Sequence, residues 1–102
     1  MKKVINGKMY NTETAKQVGF WSNGYSYRDF GWVEETLYQK KTGEFFLEGE
    51  GGANSRYSRE VERNWYGSGH YLIPFTKDEA KDWVERHCTG EEYEEIFGEV
   101  EE

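Results

Sequence analysis

The side chains best suited to do chemistry in this sequence are carboxylates near its C-terminal end. Asp78, Asp82 and Glu85 follow one another at spacings of four and three residues, which places them on one face of a helix. A second acidic group continues the series with Glu91, Glu92, Glu94 and Glu95. Such a row can replace phosphates in a basic groove, or it can form an ordinary solvated helix face. The sequence leaves both interpretations open.

The charge of the chain is distributed unevenly. Residues 76–102 contain eleven acidic and three basic side chains, so this segment has a net charge of −8, whereas the whole chain has a net charge of −7. The remaining residues are therefore almost neutral. An uneven field of this kind steers a protein towards a basic partner and disfavours non-specific binding to phosphate backbones.

Metal binding and nucleophilic catalysis lack a recognisable motif. His70, His87 and Cys88 are the only histidine and cysteine residues, and the adjacent pair lacks the two-residue gap typical of zinc sites. Consecutive helical residues point about 100° apart, so His87 is not placed to activate Cys88. We therefore predict no metal site, no cofactor and no enzymatic activity.

One basic stretch offers an alternative site. Arg56, Arg59 and Arg63 alternate with aromatic residues that could stack on bases, namely Tyr57, Trp65 and Tyr66. Glu60 and Glu62 interrupt the same stretch, which favours a mixed, solvated surface. The run Gly49-Glu50-Gly51-Gly52 has no Lys-Ser or Lys-Thr after it and holds an acidic residue, so a tight turn or bulge with positive φ is expected there.

Composition indicates a folded protein. Of its 102 residues 35% are hydrophobic and 18% are aromatic, and a few aromatic side chains suffice to build a small core. We expect Phe30 and Trp32 in that core, and Trp21, Tyr25 and Tyr27 fit either a core or a binding surface.

The single cysteine excludes an internal disulfide and fits a reducing compartment. With no signal peptide or apolar span recognisable, a cytoplasmic location is expected.

The N-terminal three quarters predict strands and turns. Asn6-Gly7 favours a hairpin between Val4-Ile5 and Lys8–Tyr10, after which Asn11 or Thr12 could cap a short helix over 13–18. Residues 20–31 read as a loop with a turn at 22–24. The strongest strand signals are 32–40 and 44–49, joined by Lys41-Thr42-Gly43, with apolar residues on both faces. Residues 71–73 read as a last strand before Pro74, which marks an edge or an end.

The C-terminal quarter predicts two helices. Thr76 with Glu79 and Thr89 with Glu92 have capping-box spacing, and Trp83 with Val84 begins an apolar stripe. The fold class is therefore α+β, with a small antiparallel sheet of hairpins followed by C-terminal helices. We expect a single domain over 1–97 and an acidic, flexible tail over 98–102.

Three segments carry a resemblance to known proteins. They are Ile5–Ala15, Gly43–Ala53 after Leu37-Tyr38, and the ending from Ile73-Pro74 through Glu91-Glu92 and Glu94-Glu95 to Ile96-Phe97-Gly98. Together they resemble small accessory proteins carried on mobile elements of Gram-positive bacteria, phages or conjugative elements. Proteins of this kind include anti-CRISPR inhibitors of type II effector nucleases. The resemblance implies no catalytic residues.

Charge and resemblance together lead to one functional expectation. An anti-CRISPR inhibitor would bind a type II effector nuclease, or its guide complex, through the acidic surface of 78–95, because such effectors have basic channels. The alternative is a nucleic-acid-binding accessory protein of a mobile element that uses 56–66. No membrane association is expected.

Overall fold

A four-stranded antiparallel sheet forms the centre of the protein. The computed structural model describes all residues from Met1 to Glu102. The chain begins with β1 (Lys2–Ile5) and β2 (Lys8–Asn11), which pair with each other. The central sheet then has the order β3 (Lys16–Ser22), β4 (Val33–Gln39), β5 (Phe45–Gly51) and β8 (Gly69–Phe75). Between the last two, along the chain, lie β6 (Arg59–Glu62) and β7 (Trp65–Gly67). After β8 come α1 (Lys77–His87) and α2 (Gly90–Phe97). The predicted α+β class is confirmed.

Local turn chemistry sets the two predicted hairpins. Asn6 and Gly7 have φ angles of 51° and 78°, the left-handed values that the first hairpin turn requires. Gly43 has a φ of 94° in the turn between β4 and β5, where the Lys40 amide donates to the Glu44 carbonyl over 2.8 Å. Both hairpin predictions are confirmed. Pro74 lies in β8, an edge strand that pairs only with β5, as predicted.

The predicted helix over 13–18 is wrong. The Asn11 side chain accepts a hydrogen bond from the Glu13 amide, which closes a turn and does not start a helix. Residues from Lys16 onwards form β3, with Lys16 opposite Gln39 and Trp21 opposite Glu35 on β4. A six-residue helix is marginal by itself, so pairing with a long neighbouring strand prevails.

The hairpin of β6 and β7 was also not predicted. Arg59 lies opposite Gly67 and Glu60 opposite Tyr66. The turn depends on Asn64, whose φ is 64°, and asparagine tolerates this conformation better than most residues. A polar two-stranded ribbon with a register shift has no regular alternation, which hides it from pattern analysis.

The glycines at the end of β5 serve close packing. Residues 49–52 have no positive φ, so the predicted positive-φ turn is wrong. A Cβ on Gly49 would lie 2.2 Å from the Tyr57 ring, and one on Gly52 would lie 2.4 Å from the Phe30 carbonyl oxygen. Only glycine lets these two loops approach the sheet so closely.

Apolar side chains cover both faces of the central sheet. On the first face, Leu37, Phe45 and Leu47 pack against Trp83 and Val84 of α1. We call this the helix face. On the opposite face Phe46 and Leu72 pack against Tyr10 of the first hairpin, with the Tyr10 and Phe46 rings 5.5 Å apart. We call this the hairpin face, and the prediction of apolar bulk on both sides is confirmed.

Both helices begin as predicted. The Thr76 hydroxyl accepts from the Glu79 amide over 3.1 Å and the Glu79 carboxylate accepts from the Thr76 amide over 2.8 Å. Thr89 and Glu92 repeat the arrangement at 3.2 and 2.9 Å. The aromatic residue Phe97 of α2 then reaches Phe45, with a ring separation of 5.4 Å. Neither helix has the length and apolar composition that crossing a lipid bilayer demands.

The most unusual core residue is Glu35, a carboxylate that is only 1% exposed. It shares the helix face with Leu37. The Trp83 indole donates to its Oε1 over 2.9 Å, the Tyr57 hydroxyl donates to its Oε2, and the Arg56 guanidinium lies 3.5 Å from Oε2. Burial and the neighbouring Glu35 raise the pKa of Tyr57, so this hydroxyl stays a donor. A buried carboxylate is tolerated only when donors surround it in this way.

The Tyr57 hydroxyl supplies the first prediction. Tyr57→Phe removes one donor from a carboxylate that stays buried, so the free energy of unfolding should fall by about 1–3 kcal/mol. Urea denaturation followed by circular dichroism measures this change. Tyr25→Phe, which alters an exposed ring, should leave the midpoint unchanged. Equal midpoints for Tyr57→Phe and the parent protein would contradict the assigned role of the hydroxyl.

His87 makes the stability of the fold depend on pH. Its Nε2 lies 4.0 Å from Glu35 Oε1, and its ring packs between those of Trp21 and Trp83 at 4.6 and 5.0 Å. Burial lowers the pKa of His87, and the cationic Arg86 and Arg56 act in the same direction against the opposing effect of Glu35. The neutral imidazole therefore belongs to the folded state.

This pKa shift predicts a loss of stability on mild acidification. Between the ordinary pKa of about 6.5 and the lower folded value, the unfolded chain binds more protons at His87 than the folded chain. Unfolding free energies at pH 7.5, 6.5 and 5.5 should therefore fall stepwise, and the fall should be smaller in His87→Gln. His70→Gln keeps His87 and serves as the control. Equal slopes for the parent protein and His87→Gln would contradict the prediction.

Candidate interaction surfaces

The acidic side chains of α1 point away from the core. Ala80, Trp83 and Val84 are buried, whereas Asp78, Asp82 and Glu85 are exposed, as expected for opposite faces of one helix. None of these three carboxylates lies within 4.0 Å of a lysine or arginine nitrogen. Their charge is therefore not neutralised within the molecule.

The second helix extends this surface. Glu91, Glu94 and Glu95 are exposed and have no ion-pair partner. Glu92 is exposed too, but its carboxylate closes the capping box with the Thr89 amide, so its first role is structural. We define the acidic helical surface as the other six carboxylates: Asp78, Asp82, Glu85, Glu91, Glu94 and Glu95.

The cations of this region do not compensate the acidic helical surface. Lys77 and Arg86 are exposed, and the Arg86 guanidinium donates to the backbone carbonyl of Asp82 over 3.3 Å. Lys81 is half-buried, with its ammonium group 5.8 Å from the centre of the Phe97 ring. The result is a negative surface that is solvated and ordered by two capped helices.

A groove of about 400 Å³ lies where α1 meets α2, and Glu85 and Glu94 of the acidic helical surface are among its lining residues. Val84, Cys88, Tyr93 and Val100 provide its apolar lining. Burial raises the pKa of the Cys88 thiol and the charge of Glu92 adds to the effect, so the thiol stays protonated and unreactive near neutral pH. The groove therefore offers apolar contact area beside the carboxylates of the acidic helical surface.

The basic stretch of 56–66 is divided by the fold. Tyr57 is buried under β5 and cannot stack on a base, and the Arg56 guanidinium pairs with the buried Glu35. Arg59 donates to the Ser68 carbonyl over 3.2 Å, and Arg63 is exposed. Across the small hairpin, Glu60 lies opposite Tyr66 and Glu62 opposite Trp65. Carboxylates thus sit directly beside the two exposed aromatic rings.

A charged cluster on the hairpin face has no counterpart among the predictions. Glu48 Oε2 lies 2.6 Å from His70 Nε2, and the Tyr38 hydroxyl donates to Glu48 Oε1 over 3.2 Å. Glu50 Oε2 lies 4.0 Å from His70 Nδ1. Side chains alternate along β5, so Glu48 and Glu50 are expected on the same face as Phe46. His70 lies beside them only because of the register in which β8 pairs with β5, which the sequence does not reveal.

Glu34 and Glu50 form a like-charge pair. They lie directly opposite each other on β4 and β5, so their side chains share one face. Burial is the main cause that raises the pKa of Glu50; His70 opposes it in part, and the charges of Glu34 and Glu48 raise the pKa further. A raised carboxyl pKa means that the ionised form destabilises the folded state.

The long loop before β4 carries several rings. Trp32 is buried, as predicted, but Phe30 is 69% exposed, so its predicted place in the core is wrong. The Phe30 carbonyl accepts from the Asn54 amide over 2.8 Å, which holds the backbone against the 52–58 loop and leaves the ring outside. Tyr25 and Tyr27 are exposed, whereas Trp21 is half-buried against His87.

The soft metal ligands do not assemble. His70 lies on the hairpin face and His87 on the helix that covers the opposite face, beside Cys88 but directed at Trp21 and Glu35. No group of three or more histidine, cysteine or acidic side chains has the geometry to hold a metal ion.

The like-charge pair generates a prediction about stability. Glu34→Gln removes repulsion between cross-strand neighbours, so the free energy of unfolding should rise by a few tenths of a kcal/mol to about 1 kcal/mol. Urea denaturation at low salt measures the gain, which should shrink in 1 M NaCl because salt screens the repulsion. Glu44→Gln breaks an ion pair of 2.8 Å with Lys8 and should have the opposite sign. A loss of stability in Glu34→Gln would contradict the repulsive pair.

Comparison of the chain with protein-family models, with curated proteins and with solved structures gave no match in any of the three. The geometry of these surfaces is therefore the basis for a functional proposal.

Proposed function

We propose that the protein is a non-enzymatic inhibitor that binds a basic protein surface through the acidic helical surface. One observation carries the proposal: six exposed carboxylates on two capped helices have no cationic partner within the molecule. An unpaired carboxylate keeps its full capacity to pair with arginine or lysine of another protein. Potentials of opposite sign accelerate association and suppress wrong partners.

A type II CRISPR effector nuclease, or its guide complex, is the leading partner. Such effectors hold nucleic acid in a positively charged channel and read its backbone. Carboxylates one helical turn apart on α1 are about 5–6 Å from one another between Cβ atoms, which lets successive side chains meet successive basic groups. The resemblance of Ile5–Ala15 and Gly43–Ala53 to accessory proteins of mobile elements supports this choice. Inhibition would follow from occupation of the channel.

The rival proposal, direct binding of nucleic acid through 56–66, has weaker support. Tyr57 is buried and Arg56 pairs with Glu35, so two of the six arginine and aromatic residues of this stretch have structural roles. The exposed rings of Trp65 and Tyr66 face carboxylates across the small hairpin, which repel phosphate. Absence of a gel shift with guide RNA or single-stranded DNA at low salt would remove this rival.

Charge reversal tests the proposal. The triple variant Asp78→Lys, Asp82→Lys, Glu85→Lys replaces attraction by repulsion at three exposed positions. Binding to the effector and inhibition of DNA cleavage should weaken at least about tenfold, since even exposed pairs contribute up to about 1 kcal/mol each. Biolayer interferometry and a cleavage assay measure the two effects.

A matched control separates local from general charge. Glu13→Lys, Glu62→Lys, Glu102→Lys changes the net charge equally at exposed residues scattered over other surfaces. We expect the binding and inhibition of this control variant to weaken by less than about threefold. Unchanged inhibition in the first variant would reject the acidic mechanism. Failure of the parent protein to inhibit any type II effector would reject the leading partner, and co-purification from the host would then identify another.

A further inference from the structure

A groove lined by aromatic rings opens at the end of the sheet where β4 begins. Tyr27, Phe30, Trp32 and Tyr66 line it together with Asp29, and its volume is about 460 Å³. The Tyr27 and Trp32 rings meet edge to face, with centroids 4.6 Å apart. Tyr27, Phe30 and Tyr66 are 70%, 69% and 54% exposed, so burial in the core does not account for them. We call this cavity the aromatic groove.

Carboxylates lie in and near the aromatic groove. Asp29 lies in its lining, and its Oδ1 accepts only the Gly31 amide, over 2.8 Å. The pKa of Tyr27 is raised chiefly by the charge of Glu34, then by burial and by Glu50. Glu34 follows Trp32 by two residues along extended backbone, so it lies on the same face as that ring, with Glu50 opposite it on β5. Aromatic faces and carboxylates together form a site for a cation.

We infer that the aromatic groove receives an arginine side chain of the basic partner. A guanidinium stacks on aromatic rings and donates to carboxylates in one plane, which a compact ammonium group does less well. A cation placed here also relieves the repulsion between Glu34 and Glu50, so binding corrects an unfavourable feature of the free protein. The identity of the partner rests on the proposed function, but recognition of arginine is a property of the groove itself.

The surrounding charges favour this occupant over a nucleic acid. The exposed rings could stack on bases. The phosphates of such a nucleic acid would, however, approach four carboxylates: Asp29, Glu34, Glu50 and Glu60, the last of which lies opposite Tyr66. Two basic residues are close to the lining: Arg59 donates to the Ser68 carbonyl, and Arg28 stands between Tyr27 and Asp29 in the chain. The four carboxylates outnumber them. The groove therefore combines stacking surfaces with a negative rim.

A peptide titration tests the inference without the partner. Acetyl-Gly-Arg-Gly-amide is added to the ¹⁵N-labelled protein, and the amide resonances of Gly52, Ala53 and Gly67 report on the groove. The matched peptide with citrulline keeps the shape of the side chain but is neutral. We expect saturable shifts with the arginine peptide and at least about threefold weaker binding of the citrulline peptide.

Groove variants locate the site. Phe30→Ala and Tyr66→Ala should weaken binding of the arginine peptide about three- to thirty-fold, the range of one cation–π contact. Glu34→Gln should weaken it as well while the fold is at least as stable as the parent, which separates binding from folding. Met9→Ala changes an exposed residue of the first hairpin and should have no effect.

Three outcomes would overturn the inference. They are equal binding of the citrulline peptide, absence of saturable shifts with the arginine peptide, and stronger shifts of the same amides by oligothymidylate. The last result would assign the groove to nucleic acid. Because the titration omits the effector, its failure leaves the proposed function intact. Conversely, loss of inhibition on reversal of Asp78, Asp82 and Glu85 is independent of the groove.

Discussion

The buried carboxylate of Glu35 is the constraint on which the arrangement of this protein depends. A desolvated charge in the core is tolerated only if hydrogen-bond donors reach it, and here the donors come from distant parts of the chain. Trp83 comes from α1, and Tyr57 and Arg56 come from the loop after β5. One carboxylate thereby fixes a helix and a loop on the sheet at the same time.

Both proposed interaction surfaces follow from this constraint. Because Trp83 must face Glu35, the opposite side of α1 must present Asp78, Asp82 and Glu85 to solvent. Because Tyr57 must lie over Gly49, the chain that follows it is held at the end of the sheet, where Tyr66 completes the aromatic groove. The buried hydrogen bonds of Glu35 therefore position both exposed surfaces, in addition to stabilising the fold.

The sequence predicts those parts of the fold whose causes are local. Asn6-Gly7, Gly43 and the two capping boxes determine hairpins and helices from neighbouring residues alone. β3 could not be predicted in this way, because pairing with β4 overrides a weak helical pattern. The acidic helical surface was predictable from helical spacing, whereas the aromatic groove combines two loops and a hairpin whose meeting is set by non-local contacts. Alternation does place Glu35 between Val33 and Leu37, but nothing local reveals its donors.

The positions of the two surfaces restrict the shape of a shared partner. The acidic helical surface lies on the helix face of the sheet, whereas Glu34 and Glu50, beside the aromatic groove, lie on the hairpin face. A flat surface cannot contact both at once. The Cα atoms span 48 × 32 × 20 Å, so a single partner that engages both surfaces needs a cleft at least as wide as the smallest dimension. A basic channel has this form, and a convex basic protein does not.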